Sequence, residues 1–141
     1  MSYFDCYLIP VPVYKMAEYK EFSAEMAAVY VEYGAIAVVD CVLDEQQADG
    51  TQFHADGAKD EVGAHDLRDF MMAAAVRPGE TVVISWTEWP NKEFRDRQLP
   101  QVLADPRVQP TEDQGVIFEG ARLVSGGFIG LAKTDGKVAS T

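Results

Sequence analysis

Both tryptophans of this chain fall in one short stretch, Ser85-Trp86-Thr87-Glu88-Trp89, and a guanidinium, Arg95, follows soon after. A carboxylate set between two indoles has chemical uses. Glu88 becomes a general base if burial raises its pKa, and Trp86 and Trp89 make walls on which a flat apolar ligand stacks. Arg95, in the first turn of the helix after Trp89-Pro90, has the fork that anchors a substrate carboxylate, and Arg122 offers the same anchor. Asp5 and Asp40 also interrupt strands, and a carboxylate in a half-buried strand needs a partner or a cavity. The candidate set is therefore Glu88 as the catalytic residue, with Trp86, Trp89, Arg95, Arg122 and Asp5 as ligand-binding residues.

Each of these residues has a plainer role, and the spacing by itself favours it. The tryptophans serve as core and dimer-interface packing. Glu88 forms a structural ion pair with Arg95 or Arg122, because an isolated buried carboxylate is costly. Arg95 makes a surface or intersubunit salt bridge. The run holding His54, Asp56 and His65 is rich in metal-ligating side chains, but it has no recognised ligand spacing and reads as a solvated loop. No metal site and no cofactor are expected. Gly126-Gly127 matches neither phosphate-binding glycine motif, and no serine elbow is present.

These residues must be held by a small number of elements. The chain has 141 residues, 48% of them hydrophobic, which fits one domain with its own core. We place that domain at residues 1–132, with an insertion at about 44–76 and a frayed tail at 133–141. A first strand covers residues 3–10 and is closed by Pro10 and Pro12. Met16, Tyr19, Phe22, Met26, Val29, Tyr30 and Tyr33 recur at helical spacing, giving a helix over 15–33 with Gly34 just past its end. A second strand spans 35–43, a short helix 66–76, and a third strand 81–89. Asn91 caps a further helix that Pro100 must kink or restart. A fourth strand spans 121–132. The order β-α-β-β-α-β is the ferredoxin-like, split-βαβ order, an α+β fold with an antiparallel sheet and both main helices on one face.

Side chains alternate across a strand, so the odd spacing sends Trp86 and Trp89 to opposite faces, with Glu88 on the side of Trp86. The other strands are also apolar on both sides: Phe4, Cys6 and Leu8 against Tyr3, Tyr7 and Ile9 in the first. Two helices cover one face only, so the second face needs another cover. The first two-thirds of the insertion is too polar for that task, and a second copy of the sheet is the expected cover, enclosing a barrel-like space between two subunits.

The formal net charge of −11 repels phosphate backbones, so neither nucleic acid nor an anionic membrane is an expected partner. No apolar run approaches the ~20 residues a membrane helix needs. The N-terminus has no signal-peptide pattern, and Cys6 and Cys41 read as buried thiols, so a cytoplasmic location is expected.

Several pieces resemble the YbaA-like bacterial proteins, a family of unknown function. They are "YFDCYLIPVP", "EYGAIAVVDC", Asp69-Phe70, "GETVVISWTEWPNKEFRD", "ADPR" and "GARLVSGGF". The departures are extra residues within 44–67, where both histidines lie, and Pro100. The resemblance implies the dimeric α+β barrel superfamily, whose members include cofactor-free monooxygenases, isomerases, haem-handling proteins and plain ligand binders. It carries over no catalytic residue. The expectation is a homodimer that binds a small apolar or aromatic ligand and has no demonstrated activity. The alternative is a cofactor-independent monooxygenase- or isomerase-like enzyme using Glu88.

Overall fold

The computed structural model describes residues 1–45, 68–110 and 115–137. Within them the chain forms β1 (Tyr3–Pro12), a 3-10 turn (Val13–Lys15), α1 (Met16–Glu32), β2 (Ala37–Val42), α2 (Phe70–Ala73), β3 (Glu80–Trp89), α3 (Lys92–Ala104), a 3-10 turn (Gly120–Arg122) and β4 (Val124–Ile129). The architecture is α+β. Four antiparallel strands lie in the order β2-β3-β1-β4. Both long helices supply residues to the cores on one face.

β1 does not stop at Pro10. It pairs with β3 along its whole length, Tyr3 opposite Trp89 through to Pro12 opposite Glu80. Its pairing with β4 ends at Leu8. Beyond Leu8 the strand has, among the described residues, a neighbour on one side only, so the prolines can turn their missing N–H to the unpaired side.

α1 ends where Gly34 takes a φ of 106°. Ala35 N–H then donates to the Tyr30 carbonyl (3.1 Å) and Gly34 N–H to that of Val31 (3.0 Å). This pair of bonds is the Schellman pattern, and buried Ala35 seats the chain as it leaves. A Cβ on Gly34 would also come within 2.7 Å of the Phe94 ring of α3. The glycine therefore meets two demands, a left-handed turn and a close helix-to-turn contact.

α3 starts as expected, with Asn91 accepting from Phe94 N–H at 2.8 Å. Of the two outcomes expected at Pro100, a kink or a restart, the restart does not occur: one helix runs through it. Pro100 is exposed, so the carbonyl that loses its donor can turn to water. α2 is shorter than the expected 66–76 and is capped by Asp69, which accepts from Met72 N–H at 2.8 Å. The part of that expected helix before residue 68 lies outside the described residues.

Trp89 is fully buried on the helix side, packed against Tyr30 and Phe94. Enclosing a ring of this size removes ~150–250 Å² from water, roughly 4–6 kcal/mol at ~25 cal/mol/Å². Trp86 lies on the opposite face and is partly exposed. No helix among the described residues is long and apolar enough to cross a membrane.

Replacing Gly34 by alanine should destabilise the protein by more than about 1 kcal/mol, because the left-handed turn and the Phe94 contact both oppose a Cβ. Urea unfolding followed by tryptophan fluorescence measures this. A loss below a few tenths of a kcal/mol would show that the turn relaxes freely.

Candidate functional site

Residues directly opposed across a ladder share a face of the sheet. The register therefore sets Asp40 beside Ser85, Ser85 beside Tyr7, and Tyr7 beside Ser125. This row crosses all four strands and carries an oxygen in every side chain. The neighbouring row runs Val38, Thr87, Asp5, Gly127. Both rows lie on the Trp89 face, beneath the helices, where a sheet is ordinarily apolar.

The core is correspondingly in two pieces. One cluster gathers Ile9, Val11, Tyr19 and Val83, and the other Val29, Ala35, Trp89 and Val102. Between them, under the middle of α1, lies a cleft of about 240 Å³. Ser85, Thr87, Tyr7 and Asp40 form its floor, and Ser23, Met26 and Tyr30 of α1 stand across from them. Phe118, from the segment before β4, joins the lining and packs edge-on to Tyr19 and Phe22. A second hollow of about 300 Å³ shares Tyr19, Ser23 and Asp40 with the first.

Among the described residues, Asp40 is the one charged residue lining the cleft. Ser23 donates its hydroxyl to Asp40 Oδ2. Oδ1 is closed off from solvent and has no donor. Among the described residues no lysine or arginine pairs with Asp40. Burial, reinforced by the charge of Asp5, pushes the Tyr7 phenol up to about 12. Burial and then Asp5 also raise Tyr30, and burial and then Asp40 raise Tyr19. All three phenols stay protonated at neutral pH and remain able to donate. Among the described residues the side-chain hydroxyls of Tyr7, Tyr30, Ser85 and Thr87 make no hydrogen bond. The cleft thus offers apolar walls, free hydroxyls and one carboxylate, the make-up of a small-molecule site.

The residues singled out from the sequence divide among three places. Asp5, Trp89 and Arg95 come together. The Trp89 indole N–H donates to Asp5 Oδ2 at 3.1 Å, and Arg95 grips the same carboxylate with two bonds of 3.0 and 2.9 Å. The Arg95 guanidinium also lies over the Tyr3 ring. Arg95 therefore clamps a carboxylate of the protein itself. Trp86 and Glu88 share the opposite face, so the two tryptophans do not line one cleft. Glu88 pairs with neither arginine: Ser2 donates to it at 2.7 Å and the Lys133 ammonium stands at 3.6 Å. Arg122 is at the far end of the sheet, holding Glu80 with two bonds of 2.7 Å. His54, Asp56 and His65 lie outside the described residues.

Sequence reading passed over Ser85, Thr87 and Tyr7 as site residues. The signal was present: Ser85 and Thr87 share the parity of Trp89, so they point where a strand under a helix should be apolar. Tyr7 was counted by its ring rather than its hydroxyl.

A model of a family of proteins of unknown function, DUF1428, matches residues 2–120. The chain is 32% identical over 128 residues to "Uncharacterized protein YbaA" of Escherichia coli strain K12, covering 91% of this chain and 95% of the relative. The relatives of the same name from Escherichia coli O157:H7 and Shigella flexneri match to the same extent. The chain belongs to this family.

Asp5→Ala should cost about 3 kcal/mol in urea unfolding, because it strands a guanidinium and an indole N–H without their acceptor. Arg95→Ala should cost less, since that side chain is partly exposed, and the double variant should lose less than the sum. Additive losses would show that the two residues act independently.

The Arg122 hydrogen bonds hold the Glu80 carboxyl down to about 2, against an ordinary 4.5. Folding thus favours its charged form. The resulting stability is complete above about pH 4.5 and fades as the pH falls towards about 2. Glu80→Gln should be less stable at neutral pH and lose less than the parent across that window. Parallel acid profiles in the two proteins would remove Glu80 from the acid response.

Proposed function

We propose that this member of the DUF1428 family is a small-ligand-binding homodimer that performs no chemistry of its own. The observation that carries the reading is the cleft under α1, with hydroxyls and a carboxylate oxygen that find no partner where a core would ordinarily be sealed. Buried polar groups are expensive to leave unmatched, and a ligand with complementary groups relieves that cost. The enzymatic reading draws no support from the geometry, because Glu88 lies on the face away from the cleft.

We further propose that the strand order β2-β3-β1-β4, with both long helices on one face, is the ferredoxin-like arrangement, and that a second copy covers the open face. Phe4, Cys6, Leu8, Val39, Ile84 and Trp86 are partly exposed there. Among the described residues, α2 reaches this face only at a corner, where Phe70 nears Val82 and Ile84. The apolar surface continues around the β4 edge, with Phe128 57%, Ile129 71% and Leu131 93% exposed. At ~4.8 Å between strands and ~3.4 Å per residue, a sheet of this size presents about 500 Å² per face. A stable interface needs ~800 Å² per partner, and the β4 side chains extend the sheet towards it. A two-fold axis sets such a face on itself and makes the contact self-complementary. Free thiols at Cys6 and Cys41 suit a reducing compartment, and we place the protein in the cytoplasm.

Light scattering at micromolar concentration should give the mass of two chains, and Phe128→Glu should give that of one while keeping the parent's circular dichroism. A parent that remains a single chain under these conditions overturns the dimer. Native mass spectrometry of the protein taken from its own host reads the ligand directly, as extra mass that Ala27→Phe, which fills the cleft, should abolish. Extra mass that persists in that variant would place the ligand elsewhere.

A further inference from the structure

We infer that the cleft selects an apolar, ring-bearing molecule with a cationic nitrogen, and that Asp40 is the residue that recognises the charge. The inference rests on the reading of the cleft as a ligand site and adds the chemistry of the occupant.

Three observations converge. The first is the sign of the charge. Asp40 is the only acidic or basic residue among the described residues lining the cleft, so a carboxylate there favours a cation and opposes an anion. The second is the incomplete coordination of that charge. A carboxylate accepts several donors, yet Asp40 has the Ser23 hydroxyl on Oδ2 and nothing on Oδ1. Lys20 lines the adjoining hollow with Asp40, but it is exposed and forms no ion pair with it. The terminal torsion of an aspartate is soft, so a small turn of the carboxylate presents both oxygens to an incoming ammonium. The third is the wall. Tyr7, Tyr19, Phe22, Tyr30 and Phe118 surround the space, and ring faces attract cations while burying an apolar body. Asp40 stands where the two hollows meet, since it lines both. A ligand can therefore place its charged end at Asp40 and its ring between the aromatic side chains. The hydroxyls of Ser85 and Thr87 are then left for any further polar substituent.

The test uses the full-length protein and three probes of like shape: 2-phenylethylamine, 2-phenylethanol and phenylacetate. Affinities are read from amide shift titrations in nuclear magnetic resonance. In the parent the amine should bind about tenfold more tightly than the alcohol, the gain expected of a charge-assisted bond, and the carboxylate should bind most weakly. Asp40→Asn keeps the shape of the side chain and removes its charge. It should bring the amine to the level of the alcohol and leave the alcohol within about threefold of its parent value. A second variant, Ser23→Ala, leaves the carboxylate charged and should keep the preference for the amine.

An alcohol that binds as well as the amine overturns the inference and leaves the cleft as a neutral site. An amine preference that survives Asp40→Asn also overturns it, by moving recognition to another residue. Failure of all three probes to perturb the cleft residues overturns the inference together with the reading of the cleft. Should Asp40→Asn not fold, the parent's ranking of the three probes decides, because a cleft without charge recognition would not separate amine from alcohol.

Discussion

An indole enclosed on every side must still place its N–H. In this protein the acceptor is Asp5, a carboxylate that Arg95 also holds in a two-pronged grip. Three elements are tied by this one arrangement: β1 supplies Asp5, β3 supplies Trp89, and the first turn of α3 supplies Arg95. Its consequence reaches beyond the bonds themselves. A strand has a period of two, so fixing Trp89 and Asp5 on the helix side fixes every second residue of β1 and β3 there as well. Tyr7, Ser85 and Thr87 follow by parity, and Asp40 follows by its register with Ser85. The polar floor of the cleft is thus set by the same constraint that seals the core.

That constraint inverts the usual distribution of polarity between the faces of a half-covered sheet. The covered face carries hydroxyls and two carboxylates, whereas the open face carries Phe4, Leu8, Ile84, Trp86 and Phe128, with Glu88 and, at the end of β3, Glu80 as its acids. The cost on the covered side is limited because the two apolar clusters sit at either end of α1. Tyr19, Phe22 and Phe118 make edge-on and tilted contacts at one end, and Tyr30, Trp89 and Phe94 do so at the other. The helix is anchored at both ends and spans the polar rows between them, which leaves room beneath its middle. On the open side the imbalance is of the opposite kind, apolar surface without a lid, and a second protomer answers it in the reading proposed above.

The cleft draws its lining from both halves of the chain. α1 and β2 provide Ser23, Tyr30 and Asp40, and the segment between α3 and β4 provides Phe118. Family membership extends over 2–120, which includes all of these residues, and the family's description assigns no activity. The physical content of the site, rather than an inherited role, is therefore what supports the binding reading.

Much was legible from residue order alone. Periodicity located α1 and its terminator Gly34, the Asn91 cap marked the start of α3, and parity sent Trp86 and Trp89 to opposite faces. These are local properties, decided by neighbours within a few positions, and local properties are written along the chain. Pro10 misled because its effect depends on what lies alongside: a strand with one free side tolerates it, and β1 runs on to Pro12. Partner choice was equally out of reach. Glu88 found Ser2 and Lys133 instead of an arginine, Arg95 found Asp5, and Arg122 found Glu80, because an ion pair forms between groups that the register and the helix docking bring within a few ångströms. The alignment of Asp40, Ser85 and Tyr7 into one row needs three strands to be paired in the correct order, and no single strand contains that information. The sequence by itself determined the elements and which way their side chains look. Only the tertiary structure decided that the hydroxyls of separate strands would meet under α1, because distance between residues remote along the chain is a property of the packed molecule alone.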